Sequence, residues 1–202
     1  MPKSASKNSF EATAARAAGS TTRRIDVQLL DRAHLASVQG LLATPDVCRA
    51  LYGGMLPEAQ LQAIAHMHLR AATQGAGQAW VLSEAGEPGA VLGYLGIFRD
   101  QLVYAIRPEL RRLGWASMLL RHGCQACAAP DGVRVLNASV LDENAASARL
   151  LEANGFRFAG HGNASPAGAT GSAMRTLEYT LRVPPSRNAG EPPGRSANAA
   201  VR

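Results

Sequence analysis

The feature that most constrains the fold is a change of hydrophobic pattern on the two sides of Pro108. Residues 101–106 predict a strand, whereas the apolar residues from Leu113 to Cys124 recur at helical spacing until Pro130 and the next two residues break the helix. Residues 133–140 then predict another strand. A strand, a helix and a strand at this spacing form a right-handed crossover, so we expect the two strands to be parallel or near neighbours in one sheet.

The segments on either side of this unit predict further strands and helices of one α/β domain. Two strands separated by turn residues come before 101–106, which favours an antiparallel arrangement there. The Gly-, Ala- and Ser-rich segment 160–173 is expected to be a mobile loop. We expect the other strands at 25–30, 79–83, 90–98, 156–159 and 176–183, and helices at 31–42, 57–69 and 145–153.

The net charge of +6 lies in the two ends of the chain. Residues 25–182 contain 13 Arg and 13 Asp or Glu, so that stretch is neutral, while residues 1–24 carry +4 and residues 183–202 carry +2. A nucleic-acid-binding domain is expected to concentrate positive charge on its folded surface, so we expect no nucleic-acid partner. The composition of the two ends predicts disordered tails around a domain at 25–182.

Neither a metal site nor a membrane segment is expected. Cys124 and Cys127 form a C-x-x-C pair, but a structural zinc site needs four ligands and the sequence has no second pair. His66 and His68 lie two apart on a predicted helix and point to different faces. No apolar run reaches the roughly 20 residues that cross a bilayer, and none resembles a signal-peptide core. Because the three cysteines form no disulfide framework, we expect a cytoplasmic protein.

The segment that follows strand 101–106 has the features of a phosphate-binding loop. A strand-to-helix loop exposes unpaired backbone N–H groups at the positive end of a helix dipole. Gly114 allows close backbone approach, Ala116 keeps the first helical turn thin, and Arg111 and Arg112 can add charge-assisted contacts. Taken alone, the loop is equally typical of a helix start with exposed arginines.

A second segment, 144–156, begins and ends with residues that limit a helix. Asn144 is a good N-cap, Gly155 suits the position just past the C-terminus, and Leu150 and Phe156 are expected to pack. Local physical chemistry alone predicts a capped helix. The two segments together, at this separation and on this strand pattern, are more specific than either one.

Together these segments resemble the GNAT superfamily of acyl-CoA-dependent N-acetyltransferases. Residues 111–116, Arg-x-x-Gly-x-Ala, resemble the pyrophosphate loop of that family. Residues 144–147, Asn-x-x-Ser, followed by Gly-Phe at 155–156, resemble the second motif of the branch that acetylates ribosomal-protein amino termini. Residues 46–49 are also similar to that branch. The resemblance covers 25–182.

The resemblance implies an α/β (α+β) fold with a mixed, mostly antiparallel central sheet flanked by helices. Its central strands, 101–106 and 133–140, would splay apart and hold acetyl-CoA between them. Backbone groups of the first strand would pair with pantetheine, and the N–H groups of 112–117 would hold the pyrophosphate. The cofactor-binding residues implied in this way are Tyr104, Ala105, Ile106, Arg111, Arg112, Leu113, Gly114, Trp115, Ala116, Ser117 and Asn144.

The same resemblance assigns catalytic roles to Asn144 and Ser147. Asn144 would hydrogen-bond the pantetheine arm, and the Ser147 hydroxyl would protonate the leaving thiolate. A strand N–H at Ala105 or Ile106 is a candidate for stabilising the oxyanion. The general base stays open, with four candidates: Glu109, His122, His161 and Tyr104.

Two residues depart from the family pattern. Many members have a tyrosine general acid seven residues after the asparagine, where this chain has Leu151, so tyrosine catalysis from that position is excluded. Loop variants often have glycine where this chain has Arg112, so the backbone there is less permissive.

The function predicted from these residues is transfer of the acetyl group of acetyl-CoA to a primary amine by direct attack. The acceptor is a protein N-terminus or a small-molecule amine, and the acceptor side would be built from 31–74 and 160–173. The alternative is a non-catalytic acyl-CoA-binding or sensing module, which the missing tyrosine and the open base assignment favour. The sequence leaves the oligomeric state open.

Overall fold

A computed structural model describes residues 25–84, 87–128, 133–164 and 173–185 of the chain. The predicted tail at 1–24, nearly all of the tail at 183–202 and most of the predicted loop at 160–173 lie outside these residues. Within them the chain forms seven strands, five α-helices and two short 3₁₀ turns. The strands are β1 Ile25–Leu29, β2 Gly77–Glu84, β3 Glu87–Phe98, β4 Gln101–Ile106, β5 Arg134–Leu141, β6 Arg157–Ala164 and β7 Met174–Val183, and the helices are α1 Leu35–Ala43, α2 Pro45–Tyr52, α3 Glu58–Thr73, α4 Trp115–Ala126 and α5 Ala145–Ala153.

The predicted elements are present, with three differences. Helix α2, Pro45–Tyr52, was not among the predicted helices. Residues 160–164, expected in a mobile loop, extend β6 and pair with β7. Leu113, expected in the helical pattern, lies before α4 and is 54% exposed. The physical reason is Gly114, whose left-handed backbone (φ 83°) separates Leu113 from the helix that begins at Trp115.

The sheet has the order β1-β2-β3-β4-β5-β7-β6. All neighbouring strands described are antiparallel except β4 and β5, which are parallel, as the crossover predicts. β4 and β5 pair at one position, Gln101 with Asn137, and then separate. The mixed, mostly antiparallel sheet with splayed central strands is therefore confirmed.

A tight turn holds the closed end of this separation. Arg99 and Asp100 both have positive φ, 48° and 66°, as a two-residue hairpin turn between β3 and β4 requires. The Asp100 carbonyl accepts the N–H of Asn137 at 2.7 Å, and its carboxylate accepts Arg134 Nε at 2.7 Å. Arg134 also donates to the carbonyl of Cys127, just past α4. This turn therefore ties β4 to β5 and to the end of the crossover helix.

Each face of the sheet carries its own hydrophobic core. Helices α4 and α5 pack with Leu119, Leu120 and Leu151 against one face. Helices α1 and α3 cover the other face. Because strand side chains alternate between faces, the apolar residues of β2 and β3 contribute to both cores. No helix in the described part of the chain has the length and apolar character needed to span a membrane.

His68 of α3 belongs to the second core. Its Nδ1 shares a hydrogen bond of 2.8 Å with Tyr94 Oη, and its ring stacks on Phe98. Burial lowers the pKa of His68 to about 4, so the ring is neutral near pH 7. This imidazole is a buried packing group, and His66 on the same helix is exposed.

We predict that Asp100→Ala lowers the free energy of unfolding by about 1–2 kcal/mol, because it removes the Arg134 contact and puts a β-carbon without a polar side chain in a left-handed turn. Asp100→Asn should lower the free energy of unfolding by less, since asparagine tolerates that backbone conformation. Urea denaturation measures both values. Equal stability of Asp100→Ala and wild type would show that the turn contributes nothing.

We predict that acid destabilises the fold through His68. The unfolded chain binds a proton at this imidazole near pH 6.5, but the folded chain does so near pH 4. Its contribution to stability is therefore complete above pH 6.5 and is lost as the pH falls from about 6.5 to about 4, in total about 3 kcal/mol. His68→Gln should flatten the fall in denaturant stability over this interval, and the matched variant His66→Gln should leave it unchanged. An equal fall in both variants would contradict the assignment.

Candidate active site

The separation of β4 and β5 opens a cleft of about 640 Å³. Residues 102–106 of β4 and 138–140 of β5 form its walls. The loop before α4, the beginning of α5 and one side of α2 close it, and both segments that carry the family resemblance line it. The tertiary structure thus brings together two motifs that are about 30 residues apart in the sequence.

The hydrogen-bond register decides which backbone groups face the cleft. The Arg107 N–H donates to the Leu92 carbonyl at 2.9 Å, and the β3–β4 register continues from this pair. Because every second residue of a strand bonds the same neighbour, Ala105 directs its N–H and C=O to Tyr94 of β3. Tyr104 and Ile106 direct theirs into the cleft.

Ala105 also lines the cleft, as predicted for a cofactor-binding residue. Its backbone N–H and C=O are used in pairing with β3, however, and its side chain packs in the core beneath α1 and α3. Of the two candidate oxyanion donors, Ile106 alone has its N–H on the cleft side.

The loop before α4 is shaped for close approach of a ligand. Gly114 is the N-cap of α4, no side chain caps this helix, and a β-carbon added at Gly114 would meet no protein atom within 4 Å. The first N–H groups of α4 have no acceptor inside the helix. Gly114 is thus required by its backbone angle and leaves open space at the positive end of the helix.

Arg112 has a left-handed backbone, with φ 63°. This conformation costs a non-glycine residue about 1–2 kcal/mol. It occurs at the position where related loops often have glycine. Arg111, Arg112, Trp115, Ala116 and Ser117 also line the cleft, whereas the exposed Leu113 does not.

Arg111 forms an ion pair across the mouth of the cleft. Its Nη1 lies 3.5 Å from Oδ2 of Asp46, in the first turn of α2. The other oxygen of Asp46 accepts Arg49 Nη2 at 3.2 Å. All three side chains are more than 40% exposed, so the pairs contribute little to stability. They place two guanidinium groups and one carboxylate where α2 meets the loop.

Trp115 and Ser117 fix the beginning of α4. Trp115 is 5% exposed and packs in the core between α4 and the sheet. Ser117 Oγ accepts Asn154 Nδ2 at 3.1 Å, and the same amide donates to the Leu150 carbonyl at 2.8 Å. Asn154 therefore ties the end of α5 to the beginning of α4. Asn154 was not predicted as a site residue, although its position just before Gly155, at the end of α5, is a sequence signal for such a role.

Asn144, Ser147 and Tyr104 meet at the beginning of α5. Asn144 Oδ1 accepts the Ser147 N–H at 3.1 Å, which is the predicted N-cap. Burial raises the pKa of Tyr104 to about 12, and interaction with the Ser147 side chain offsets part of this shift. The contact of the two hydroxyls falls short of a full hydrogen bond. All three residues line the cleft.

Three of the four candidate bases lie away from the cleft. Glu109 is 63% exposed and lies beside Arg107. His122 of α4 makes an edge-on ring contact with Trp80 of β2. His161 of β6 makes an edge-on ring contact with Phe158 of the same strand. Burial lowers the pKa of His122. Tyr104 lines the cleft, but its raised pKa makes it a poor source of phenolate near pH 7.

The acceptor side of the cleft contains two residues that were not predicted from the sequence. Tyr52 of α2 and Ser139 of β5 both line it. Burial, followed by the nearby Cys48, raises the pKa of Tyr52 to about 12. No motif marks these two positions, because the splay of the sheet alone brings them to the cleft.

The described residues contain no group of three or more His, Cys, Asp or Glu arranged to hold a metal ion. Cys48, Cys124 and Cys127 are free thiols. Burial, followed by the neighbouring Cys127, raises the pKa of Cys124 to about 11. The C-x-x-C pair therefore packs as two protonated thiols at the end of α4.

Comparisons with known proteins agree with this architecture. Residues 24–157 match the model of the acetyltransferase (GNAT) domain family. A search of curated protein sequences finds no match. The chain belongs to the GNAT acetyltransferase family, and it is an acyl-CoA-dependent N-acetyltransferase by that membership.

Solved structures share its fold at low sequence identity. A spermidine N-acetyltransferase from Vibrio cholerae, in complex with CoA and spermine, has a TM-score of 0.60 and 15% identity over 79% of this chain and 95% of its own. A phosphinothricin acetyltransferase from Sinorhizobium meliloti, in complex with acetyl-CoA, has a TM-score of 0.61 and 20% identity over 86% of this chain and 96% of its own. An acetyl transferase from Salmonella typhimurium that modifies the N-terminal serine of a 50S ribosomal subunit protein has a TM-score of 0.59 and 12% identity over 80% of this chain and 95% of its own.

Proposed function

We propose that this acetyltransferase binds acetyl-CoA in the β4–β5 cleft and transfers the acetyl group to a primary amine by direct attack. The observation that carries the proposal is the meeting of the uncapped N-terminus of α4 with the inward-facing backbone of β4 in one cleft. An elongated ligand with a pyrophosphate at one end and amide groups along its length matches these two features. The CoA and acetyl-CoA complexes of two structural neighbours support the choice of ligand.

The pyrophosphate would lie against residues 111–117. The backbone N–H groups from Arg112 to Ser117 provide donors, and the open space at Gly114 admits the phosphate oxygens. Arg111 adds a guanidinium group that is paired with Asp46 at 3.5 Å. The role of Leu113 is limited to its backbone, because its side chain is exposed outside the cleft.

The pantetheine arm would follow β4. The backbone of Tyr104 and Ile106 faces it, and Asn144, whose Oδ1 is used in the helix cap, has its amide nitrogen as the donor for the arm. Acetyl-CoA supplies the thioester carbonyl. The Ile106 N–H is the candidate donor to the oxygen of that carbonyl.

Ser147 is the proposed proton donor to the leaving thiolate. It lies at the beginning of α5, lines the cleft and faces the half-buried Tyr104. Leu151, where many members have the tyrosine general acid, is fully buried in the core and has no access to the cleft. A neutral amine is a good nucleophile, so the protein's main contribution is to position it against the thioester.

The proposed acceptors are a protein N-terminus or a small-molecule amine. The motifs at 144–147 and 155–156 favour the branch that acetylates ribosomal-protein amino termini, and the Salmonella typhimurium neighbour supports that branch. The spermidine and phosphinothricin enzymes support a small-molecule acceptor equally. The alternative is a non-catalytic acyl-CoA-binding or sensing module, which the apolar Leu151 favours.

The same proposal assigns the catalytic domain to residues 25–182, without a metal ion, between the tails at 1–24 and 183–202. The family match over 24–157 supports the position of the domain. We also propose a cytoplasmic location, which three reduced cysteines fit.

The test of ligand binding is calorimetric titration with acetyl-CoA. Wild type should bind about one equivalent, and Gly114→Glu should abolish binding, because its carboxylate fills the open space and repels the pyrophosphate. Gly114→Ala separates backbone strain from this repulsion and should weaken binding less. Gly40→Glu, on the exposed face of α1, is the matched control and should bind as wild type does. Unchanged affinity of Gly114→Glu would contradict the phosphate site.

The test of catalysis is thiol release with a panel of peptides and small amines. Turnover by wild type supports the enzyme, and binding without turnover across the panel supports the sensing module. Ser147→Ala should lower kcat by about 10²-fold while the dissociation constant of acetyl-CoA changes little. Ser147→Thr keeps a hydroxyl and should recover part of the rate. A wild-type rate in Ser147→Ala would remove it from the role of proton donor.

A further inference from the structure

We propose that Ser139 and Glu178 form the site that receives the acceptor amine and removes its proton. The inference deepens the proposed function and rests on it, because it identifies the base for the same reaction. The two residues face each other across β5 and β7, where their register pairs Ser139 with Glu178. Neither residue belongs to a motif with a family resemblance.

The Glu178 carboxylate is held by two hydroxyl groups. Ser139 Oγ donates to Glu178 Oε2 at 2.5 Å, and Thr176 Oγ1 donates to Oε1 at 2.6 Å. A carboxylate accepts but does not donate, so both hydroxyl protons point to Glu178. The Ser139 oxygen therefore keeps its lone pairs for a donor that comes from elsewhere.

The neighbouring strand leaves space for this arrangement. A β-carbon at Gly162 of β6 would lie 2.5 Å from Glu178 Oε1 and 2.9 Å from Thr176 Oγ1. Glycine at this position lets the carboxylate lie flat over β6 and reach Ser139. The same packing fixes the orientation of Glu178, since Thr176 is 2% exposed.

Ser139 connects the carboxylate to the cleft. Ala138 and Val140 on either side of it belong to the core under α4 and α5, so the Ser139 side chain points to the opposite face of the sheet. It lines the cleft there with Tyr52 of α2. This is the face opposite the Ser147 helix, so an amine at Ser139 and a proton donor at Ser147 would approach the thioester from two sides.

The distribution of charge in the cleft agrees with an amine acceptor on the Ser139 side. Among the described residues, the charged side chains that line the cleft are Arg111 and Arg112, both in the loop at the phosphate end. Glu178, behind Ser139, adds a negative charge on the acceptor side. An alkylammonium acceptor is therefore attracted to the end of the cleft that lies away from the arginines.

The proton transfer balances without any further reagent. The ammonium N–H bond breaks as its proton passes to Ser139 Oγ, and the Ser139 proton passes to Glu178 Oε2. The amine is left with the lone pair that forms the new C–N bond, and Glu178 holds the proton until solvent removes it. Ser139 contacts the substrate in this step, and Glu178 acts through it.

Kinetics with the full-length protein test the relay. Glu178→Gln should lower kcat/KM for an active amine by about 10²-fold or more, while calorimetry gives an unchanged dissociation constant for acetyl-CoA. Ser139→Ala should lower kcat/KM by a similar factor, and Ser139→Thr, which keeps a hydroxyl group, should restore a large part of the rate. The matched control is Glu152→Gln. Glu152 of α5 also accepts a hydrogen bond from a β7 residue, Tyr179 at 3.0 Å, but lies on the other face of the sheet, so its variant should retain the wild-type rate.

A binding measurement keeps the test independent of turnover. In CoA-saturated protein with ¹³C-labelled glutamate carboxyl groups, the resonance lost in Glu178→Gln identifies Glu178. Addition of n-butylammonium should shift this resonance saturably in wild type and less in Ser139→Ala. A shift without turnover by wild type would contradict the proposed function and leave the amine site standing. An unmoved resonance, or a wild-type rate in Glu178→Gln, would overturn the inference.

Discussion

The parallel strands β4 and β5 meet at one residue pair, and Asp100 holds that point closed. Its carbonyl bonds Asn137 and its carboxylate bonds Arg134, so the strands start together and then diverge. The cleft and the backbone groups that face it depend on this geometry. The cleft exists because the two strands have no shared ladder beyond Gln101, and the backbone of Tyr104 and Ile106 faces that cleft because β3 takes the alternate residues.

The loop before α4 leaves the helix N-terminus exposed, and its conformation is locally unfavourable. Arg112 has a left-handed backbone without being glycine, Gly114 caps the helix without a side chain, and Leu113 is exposed. The Arg112 backbone and the exposed Leu113 are unfavourable for the isolated loop, and Gly114 lacks the side-chain hydrogen bond that a serine or aspartate cap would add. Strain of this kind persists where the surrounding structure holds it, and it is common at sites that bind ligands. Here the rigid parts are Trp115 in the core and the Asn154 amide on Ser117.

The sequence marks the cofactor half of the candidate site more clearly than the acceptor half. The phosphate-loop residues and the Asn144 cap are local features, since a turn, a helix start and an N-cap are each set by a few consecutive residues. The sequence could not decide between the N–H groups of Ala105 and Ile106 as oxyanion donors, because the sheet register decides which of them bonds β3 and which faces the cleft. Likewise, 160–164 lacks a strand pattern, and its pairing with β7 makes it a strand.

The sequence by itself determined the order of the strands and of every described helix except α2. It also determined the crossover between 101–106 and 133–140 and the two motifs of an acetyltransferase, because hydrophobic period and capping are local properties. The tertiary structure alone decided which groups meet in the cleft. Ser139 and Glu178 are 39 residues apart, and Asp46 and Arg111 come from different elements. Such contacts follow from strand register and splay, which depend on the packing of the whole sheet between its two layers of helices.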